Sequence, residues 1–225
     1  MVTKIIKING VIVSDQHKEI YDEWKIENIA PKDIFTQLPK KDSEPIEIHI
    51  SSGGGDAYAG FLIYTKLKAY PGKKTVKILN IAASAASIIA MAGDEVLISP
   101  VGQLMIHNAW TTQTGNQHAM REVADQLEEL AESLVNAYEL RTNQSREKIK
   151  KWLDSETYFS AHKAVEYGFA DEVMYSESRT QNKVIAACVG MDGLLSASVI
   201  EEYIQKKEKQ PTQTKKVTRR RPLMF

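Results

Sequence analysis

Residues 46–69 read IEIHISSGGGDAYAGFLIYTKLKA, and this stretch decides the fold. Its first five residues alternate between apolar and polar side chains, which predicts a β-strand. The serine-glycine segment 51–55 follows at once and predicts a loop, because glycine permits sharp changes of backbone direction. Residues 57–69 then predict a helix. A strand that leads directly into a helix is the first half of a βαβ unit.

The rest of the chain repeats this alternation. Further strands are predicted at 74–78, 95–98 and 104–107, and the apolar segment 81–93 lies between the first two. Residues 4–13 predict a strand or a tight hairpin, because β-branched residues flank a glycine. Strands and helices in this order predict right-handed βαβ crossovers and an α/β core.

One predicted helix is long for a domain of this size. Apolar residues recur at three- and four-residue spacing through 116–141, namely Met120, Val123, Leu127, Leu130, Leu134 and Tyr138. At 1.5 Å per residue this helix would measure about 39 Å. We therefore expect part of it to project and to pack on another chain. A second helix is predicted from near Ser145 to Trp152, and a third from Ser160 to Gly168.

Composition and charge exclude several classes of protein. The 225 residues include 29 basic and 29 acidic side chains, so the net charge of zero indicates no nucleic-acid or membrane partner. The single cysteine, Cys188, cannot form an intramolecular disulfide, which suits a reducing compartment. The N-terminus lacks a signal-peptide pattern, and the longest apolar stretch, 81–93, is too short to span a bilayer. We expect a cytoplasmic protein.

Ser84 and His107 are candidates for nucleophilic chemistry. Ser84 lies among small residues in AASAAS at 82–87, which leave room for a substrate near the hydroxyl. The simpler interpretation is a helix N-cap with close packing, and Ser87, one helical turn further on, is the competing serine. His107 ends a predicted strand, where an imidazole is more often a satisfied core residue than a base. No pair of histidines or cysteines has the spacing of metal ligands, so no metal is predicted.

A glycine segment and an acidic segment complete the candidates. The N–H groups of Gly53, Gly54 and Gly55 precede a predicted helix, where they could hold a phosphate or a developing oxyanion. A plain turn is the simpler interpretation, and no Lys-Ser/Thr pair follows at the spacing of a phosphate-binding loop. Asp154 and Glu156 could orient an imidazole, or could simply end a charged helix.

The order of these features resembles the Clp proteolytic-subunit family of serine peptidases. The four matching motifs are ISSGGG at 50–55, AASAA at 82–86 with its ending MAG at 91–93, MIH at 105–107 and FSAHKAVEYG at 159–168. The family has Asn-Ser-Pro-Gly-Gly where this chain has residues 51–55, with Gly53 at the proline position. The resemblance covers about residues 45–174, and its four ordered motifs make it specific.

The resemblance implies a Ser-His-acid triad in an α/β protein with a crotonase-like, Clp-type spiral. Ser84 is the implied nucleophile and His107 the implied general base. The family's catalytic aspartate falls on Glu156, and Asp154 is the alternative third member. An oxyanion hole is expected from the backbone N–H groups of Gly55, Ala85 and Gly54.

The resemblance also implies an assembly and a domain organisation. It implies homo-oligomeric sevenfold rings, single or stacked in pairs, and no cofactor. A projecting helical handle at about 116–157 would interlock two rings, and any AAA+ unfoldase would be a separate chain. Residues 1–175 are expected to form the peptidase domain, 176–205 a C-terminal extension with a helical element at 187–206, and 206–225 a disordered basic tail.

The stretch before residue 45 and the basic tail resemble, more narrowly, the Clp-type peptidases of tailed phages and prophages. That resemblance implies an ATP-independent endopeptidase that processes capsid proteins in the host cytoplasm, with capsid or portal proteins as partners. General protein turnover with a separate unfoldase is the alternative within the family. A crotonase-like acyl-CoA enzyme, which leaves Ser84 and His107 without roles, and a non-catalytic ring scaffold are alternatives of other classes.

Overall fold

The computed structural model describes residues 3–39 and 44–176. The strands are β1 (Lys4–Ile12), β2 (Asn28–Ile29), β3 (Ile46–Gly55), β4 (Lys74–Ala83), β5 (Glu95–Ile98), β6 (Gln103–Ile106), β7 (Thr157–Ser160) and β8 (Glu172–Val173). The helices are α1 (Lys18–Glu23), α2 (Pro31–Gln37), α3 (Ala57–Ala69), α4 (Ala85–Ala90), α5 (Gln117–Thr142), α6 (Arg146–Asp154) and α7 (Ala161–Glu166). The predicted helical element at 187–206 and the basic tail lie outside the described residues, as does the C-terminal extension from residue 177 onward.

One eight-stranded sheet organises these elements. Its main path runs β2-β1-β3-β4-β5-β8, and β6 pairs with both β4 and β7. Among the described strands only the β6–β7 pair is antiparallel. Strand β4 pairs with β3 and divides its remaining pairing between two other strands: residues 75–78 pair with β5, and residues 81–83 pair with β6. The α/β class predicted from the sequence is confirmed, and residues 4–12 form one strand instead of a hairpin.

The core packs the sheet against helices α3 and α4. In β3, Ile46, Ile48 and Ile50 are buried, whereas the alternate residues Glu47 and His49 are only half-buried. Burying each isoleucine contributes about 1.5–3 kcal/mol relative to leaving it exposed. All six residues of α4 are buried, so this short helix is fixed on every side.

The glycine segment does not form the loop that the sequence predicts. Strand β3 continues through the glycines to Gly55, which lies opposite Ile12 of β1. Pairing with a neighbouring strand here overrides the weak β propensity of glycine. Only Asp56 separates the strand from α3, and its carboxylate caps the helix by accepting a hydrogen bond from Ala59 N–H at 2.7 Å.

Helix α5 confirms the long helix predicted at 116–141. The Asn116 side chain caps its start by accepting hydrogen bonds from the N–H groups of His118 and Ala119, at 3.1 Å each. Asn143 ends it in a left-handed conformation. Its buried residues all belong to the second half, namely Leu134, Val135, Ala137, Tyr138 and Thr142. The first half of α5 therefore contributes no buried residue to the core.

A charged network holds α6 against α5. Arg146 donates to Glu132 at 2.5 Å and to Glu139 at 2.7 Å, and Lys150 also pairs with Glu132. Hydrogen bonds from Lys150 and Arg146 lower the pKa of Glu132. Exposed pairs of this kind add little stability one by one, but together they fix the position of α6 along α5. Within residues 3–39 and 44–176, no helix has the length and apolar character needed to cross a membrane.

Candidate active site

Ser84 is the single residue between β4 and α4. Its φ of 53° and ψ of −125° lie in a region that non-glycine residues seldom adopt. Hydrogen bonds hold both of its backbone groups: Ser84 N–H donates to Met105 O at 3.0 Å, and Ser84 C=O accepts from Ser87 N–H at 2.9 Å. Strained backbone persists only where the surroundings enforce it, and such residues cluster at functional sites.

His107 follows β6, the strand that pairs with the end of β4. The register Ala83↔Met105 brings the carboxyl ends of the two strands to one edge of the sheet. Ligand sites of open α/β sheets lie at that edge. His107 Nε2 lies 2.8 Å from Ser84 Oγ. An imidazole at this distance can accept the hydroxyl proton and so activate the serine as a nucleophile.

Ser87, the competing serine, is fully buried and has a different set of contacts. Its hydroxyl donates to Ser84 O at 2.6 Å, and its Oγ lies 2.8 Å from the Tyr138 hydroxyl. Burial and these two bonds exclude Ser87 as a nucleophile. Sequence reasoning missed the partnership with Tyr138, because 51 residues separate the two and Tyr138 looks like one more apolar position of α5.

The glycine segment lies directly against Ser84. A Cβ on Gly54, whose φ is 98°, would stand 2.7 Å from both Ser84 Cβ and Ala83 O, and 3.0 Å from Ala85 N. Only glycine fits this position without displacing Ser84. Gly54 N–H donates to Ser52 Oγ at 3.1 Å, so this predicted oxyanion donor is already engaged within β3.

Gly55 and Ala85 carry the other two predicted oxyanion donors. Gly55 forms part of the wall of the cleft beside Ser84. The next residue, Asp56, donates its N–H to Ile12 O on β1 at 2.8 Å. Ala85 is the first residue of α4, where N–H groups lack partners inside the helix.

Glu156 lies next to the antiparallel pair that ends at His107. The β6–β7 register finishes at Ile106↔Thr157, so the following residue on β6 and the preceding one on β7 are His107 and Glu156. Glu156 has a φ of 44°, and its carboxylate accepts a hydrogen bond from the Tyr158 hydroxyl at 3.5 Å. Among the described residues, neither Glu156 nor any other carboxylate is hydrogen-bonded to the His107 ring.

Asp154, the alternative third member, is bound to another side chain. Its Oδ1 accepts a hydrogen bond from Asn108 Nδ2 at 2.8 Å. Asn108 N–H also donates to Leu153 O at 3.3 Å. These two bonds hold the end of α6 against Asn108, the residue that follows His107. Glu156 comes after this contact in the chain and leads into β7.

A cleft of about 600 Å³ opens beside the Ser84–His107 pair. Both residues line it, so a molecule bound there would contact them. The glycine segment forms one wall, and apolar side chains form most of the rest, namely Met105, Ala109, Trp110, Val123, Leu127 and Leu130. The exposed half of α5 thus supplies a wall of the cleft. Clefts of this size and lining commonly bind ligands.

A bound metal ion needs a particular arrangement of ligating side chains. Within residues 3–39 and 44–176, no group of three or more His, Cys, Asp or Glu side chains is placed to hold a metal ion. His49 lies on the outer face of the sheet, where it contacts Glu47. Partial burial would raise the pKa of Glu47, but hydrogen bonds from Lys77 and His49 lower it overall.

The site thus has a serine hydroxyl hydrogen-bonded to an imidazole, at the carboxyl edge of parallel strands and beside an apolar cleft. This arrangement is that of a serine hydrolase. A sequence model of the Clp protease family matches residues 11–177, and the chain belongs to that family. It is 27% identical over 155 residues to the ATP-dependent Clp protease proteolytic subunit of Deinococcus radiodurans, covering 66% of this chain and 76% of that relative.

Family membership makes the enzyme a serine-type endopeptidase with a Clp-type α/β fold. The fold and the enzyme class implied by the four sequence motifs are thereby confirmed. The two alternatives from other classes, an acyl-CoA enzyme and a non-catalytic scaffold, are set aside.

Proposed function

We propose that this enzyme cleaves peptide bonds through Ser84, His107 and Glu156. The 2.8 Å contact between Ser84 Oγ and His107 Nε2 carries the proposal. His107 accepts the hydroxyl proton as Oγ bonds to the carbonyl carbon, then passes that proton to the leaving amine as the C–N bond breaks. A water molecule, deprotonated in the same way, then attacks the acyl-enzyme and releases the acid and free Ser84.

In this proposal Glu156 is the third member of the triad, the carboxylate that orients the His107 imidazole. Its place beside His107 at the end of the β6–β7 pair supports the assignment, and its one bond, to Tyr158, is long and easily exchanged. A glutamate side chain is one methylene longer than the family's aspartate and makes the same hydrogen bond to imidazole. The shorter 2.8 Å bond to Asn108 counts against Asp154.

Backbone N–H groups would stabilise the oxyanion of the tetrahedral intermediate. We assign this role to Gly55 and Ala85, since Gly54 N–H is engaged with Ser52. Gly54 acts through its missing side chain, which leaves space for Ser84. Losing one oxyanion donor typically costs about 10²–10³ in rate.

The substrate would be an extended segment with apolar side chains. The apolar lining from Leu127 and Val123 supports the preference for apolar residues. Pairing between β3 and β4 reaches Ser52↔Ala82, so the stretch from Gly53 to Gly55 borders the cleft beyond that pairing. A peptide could add there as a strand, with backbone hydrogen bonds giving affinity and pockets giving specificity.

Two finer parts of the proposal rest on resemblances: capsid processing on that to the phage-encoded members, and ring assembly on that to the Clp family as a whole. The physiological substrates would be phage capsid proteins, cleaved without ATP. The enzyme would act as a homo-oligomeric ring, with the first half of α5 available for contacts between rings. Incubation with a candidate capsid protein, with and without an AAA+ unfoldase and ATP, distinguishes capsid processing from unfoldase-dependent turnover.

Covalent labelling tests the central proposal. A fluorophosphonate should modify the full-length enzyme at one residue, and peptide mapping by mass spectrometry should identify that residue as Ser84. Ser84→Ala should lose both labelling and peptide cleavage while keeping its thermal unfolding transition. Ser133→Ala, which changes an exposed serine of α5, is the matched control and should retain both. Normal cleavage by Ser84→Ala would overturn the assignment.

A further inference from the structure

A chain of buried hydroxyl groups connects α5 to the nucleophile turn. The Tyr138 side chain reaches from the buried half of α5 to Ser87 on α4, with 2.8 Å between the two oxygens. Ser87 Oγ lies 2.6 Å from Ser84 O. Ser87 is fully buried and Tyr138 is 1% exposed, so water does not compete for these bonds.

The direction of the chain follows from counting protons. A carbonyl oxygen only accepts hydrogen bonds, so the Ser87 hydroxyl must donate its one proton to Ser84 O. The Tyr138 hydroxyl must then donate to Ser87 Oγ. Burial raises the pKa of Tyr138, which keeps its hydroxyl protonated as this arrangement requires. The chain therefore runs in one direction, from Tyr138 through Ser87 to the carbonyl of the nucleophile.

The Ser84 carbonyl belongs to the same peptide group as the Ala85 N–H. A peptide group is planar and trans, so its C=O and N–H point in opposite directions. Holding the carbonyl oxygen against Ser87 therefore fixes the direction of Ala85 N–H. A hydrogen bond accepted by the carbonyl also polarises the group and makes its N–H a stronger donor.

We propose that Ser87 and Tyr138 are positioning residues that orient and polarise the Ala85 N–H for the oxyanion. The proposal rests on the function proposed above, in which Ala85 is an oxyanion donor. Ser87 also helps hold the strained conformation of Ser84, whose carbonyl accepts a bond from Ser87 N–H as well. Neither side chain touches the substrate, so both act through the peptide between Ser84 and Ala85.

Three variants and one control test the proposal on the full-length enzyme. Ser87→Ala removes the hydroxyl donor to Ser84 O and leaves the backbone donors, Ser87 N–H at 2.9 Å and Ile88 N–H at 3.4 Å. Tyr138→Phe removes the donor to Ser87, and the third variant combines both. Thr142→Val is the control, because Thr142 is also buried on α5 and its hydroxyl donates to Tyr138 O at 2.7 Å without reaching the turn. The measurements are kcat and KM for a fluorogenic peptide, the rate of fluorophosphonate labelling, and thermal unfolding.

The expected signature is a lower kcat at unchanged KM, since the oxyanion forms only after substrate binds. We expect Ser87→Ala to lower kcat about tenfold, less than the loss of a whole donor, with labelling slowed in parallel. Tyr138→Phe should lower kcat about threefold through weaker polarisation. The double variant should match Ser87→Ala, because Tyr138 acts only through Ser87, and Thr142→Val should keep wild-type kcat.

Two results would overturn the proposal: a Ser87→Ala enzyme with wild-type kcat, or equal losses of kcat in Tyr138→Phe and Thr142→Val. If Ser87→Ala does not fold, the comparison of Tyr138→Phe with Thr142→Val decides. Failure of the proposed function looks different, because the wild-type enzyme itself would then resist labelling at Ser84, and the positioning role would fall with it.

Discussion

Asp154 Oδ1 accepts a hydrogen bond from Asn108 Nδ2 at 2.8 Å, immediately beyond the candidate base His107. That bond holds the last residue of α6 against the chain that leaves β6. Glu156, two residues further on, immediately precedes β7 where its pairing with β6 ends. Among the described residues its carboxylate accepts one long hydrogen bond, from the Tyr158 hydroxyl at 3.5 Å. The two carboxylates are thus close in sequence but unequal in their freedom to reach the imidazole.

The first prediction follows from this difference. Glu156→Gln should lower kcat for peptide cleavage by about 10²-fold or more, because an amide orients the imidazole in the wrong tautomer. Asp154→Asn, the matched change two residues away, should alter kcat by less than about threefold, since an asparagine oxygen still accepts from Asn108. Glu156→Asp tests whether the extra methylene matters. A larger loss of kcat in Asp154→Asn than in Glu156→Gln would show that Asp154, not Glu156, is the carboxylate of the triad.

The second prediction concerns the space beside Ser84. Gly54→Ala places a Cβ 2.7 Å from the nucleophile at a φ of 98°, so we expect loss of activity and destabilisation by about 1–3 kcal/mol. Gly53→Ala is the control, because its Cβ would meet nothing within 4 Å. That variant should unfold within about 0.5 kcal/mol of wild type. Equal unfolding free energies for the two variants, measured in urea, would contradict the steric role of Gly54.

The third prediction concerns the apolar wall of the cleft. Leu127→Ala should lower kcat/KM for peptides with a leucine-sized residue at the cleavage site by roughly 10-fold, and less for aromatic residues that fill the enlarged cleft. Leu140→Ala changes an exposed leucine on the same helix and should leave the ranking of substrates as it is. A panel of fluorogenic peptides measures the ranking. If Leu127→Ala ranks the peptides in the same order as the wild type, α5 does not contribute to substrate selection.

The fourth prediction uses the buried hydroxyl of Tyr138. Burial raises its pKa above the usual value of about 10, so the folded protein holds this proton more tightly than the unfolded chain does. Its contribution to stability is fully present below about pH 10 and is lost as the pH rises further. Tyr138→Phe should therefore flatten the decline of the unfolding free energy above pH 10. Identical declines in both proteins would contradict the prediction.

Ser84 and His107 could be singled out as candidates from sequence because small residues surround the first and a clear strand pattern precedes the second. That β4 continues to Ala83 and brings Ser84 to the same sheet edge as His107 was not predicted. The long helix was equally clear, since a regular apolar spacing continues from Met120 to Tyr138, about five turns of α5. In these places local pattern and tertiary structure agree.

Other features depend on partners that are distant in the chain. Strand β3 extends through the glycines because β1 pairs with them, and no local signal predicts that extension. Strand β7 was missed because four residues between two helices carry too little pattern. The contact between Ser87 and Tyr138 joins two elements that look like ordinary core helices. The resemblance favoured Glu156 over Asp154 as the third member, and the bond from Asn108 to Asp154 is a further argument for that choice that the sequence did not show.

The divided pairing of β4 has a consequence for variation in this enzyme. Its first half, beside β5, serves the core, and its second half, beside β6, holds the residues that lead to Ser84. Random substitutions along this one strand should therefore separate into two phenotypes. Those near Val76 should mainly reduce the amount of folded protein in cells, and those near Ala82, which is also buried, should lower both that amount and the turnover of the enzyme that does fold. A library of β4 variants, screened for the amount of folded protein and for the rate of peptide cleavage, would show which positions affect folding and which affect turnover.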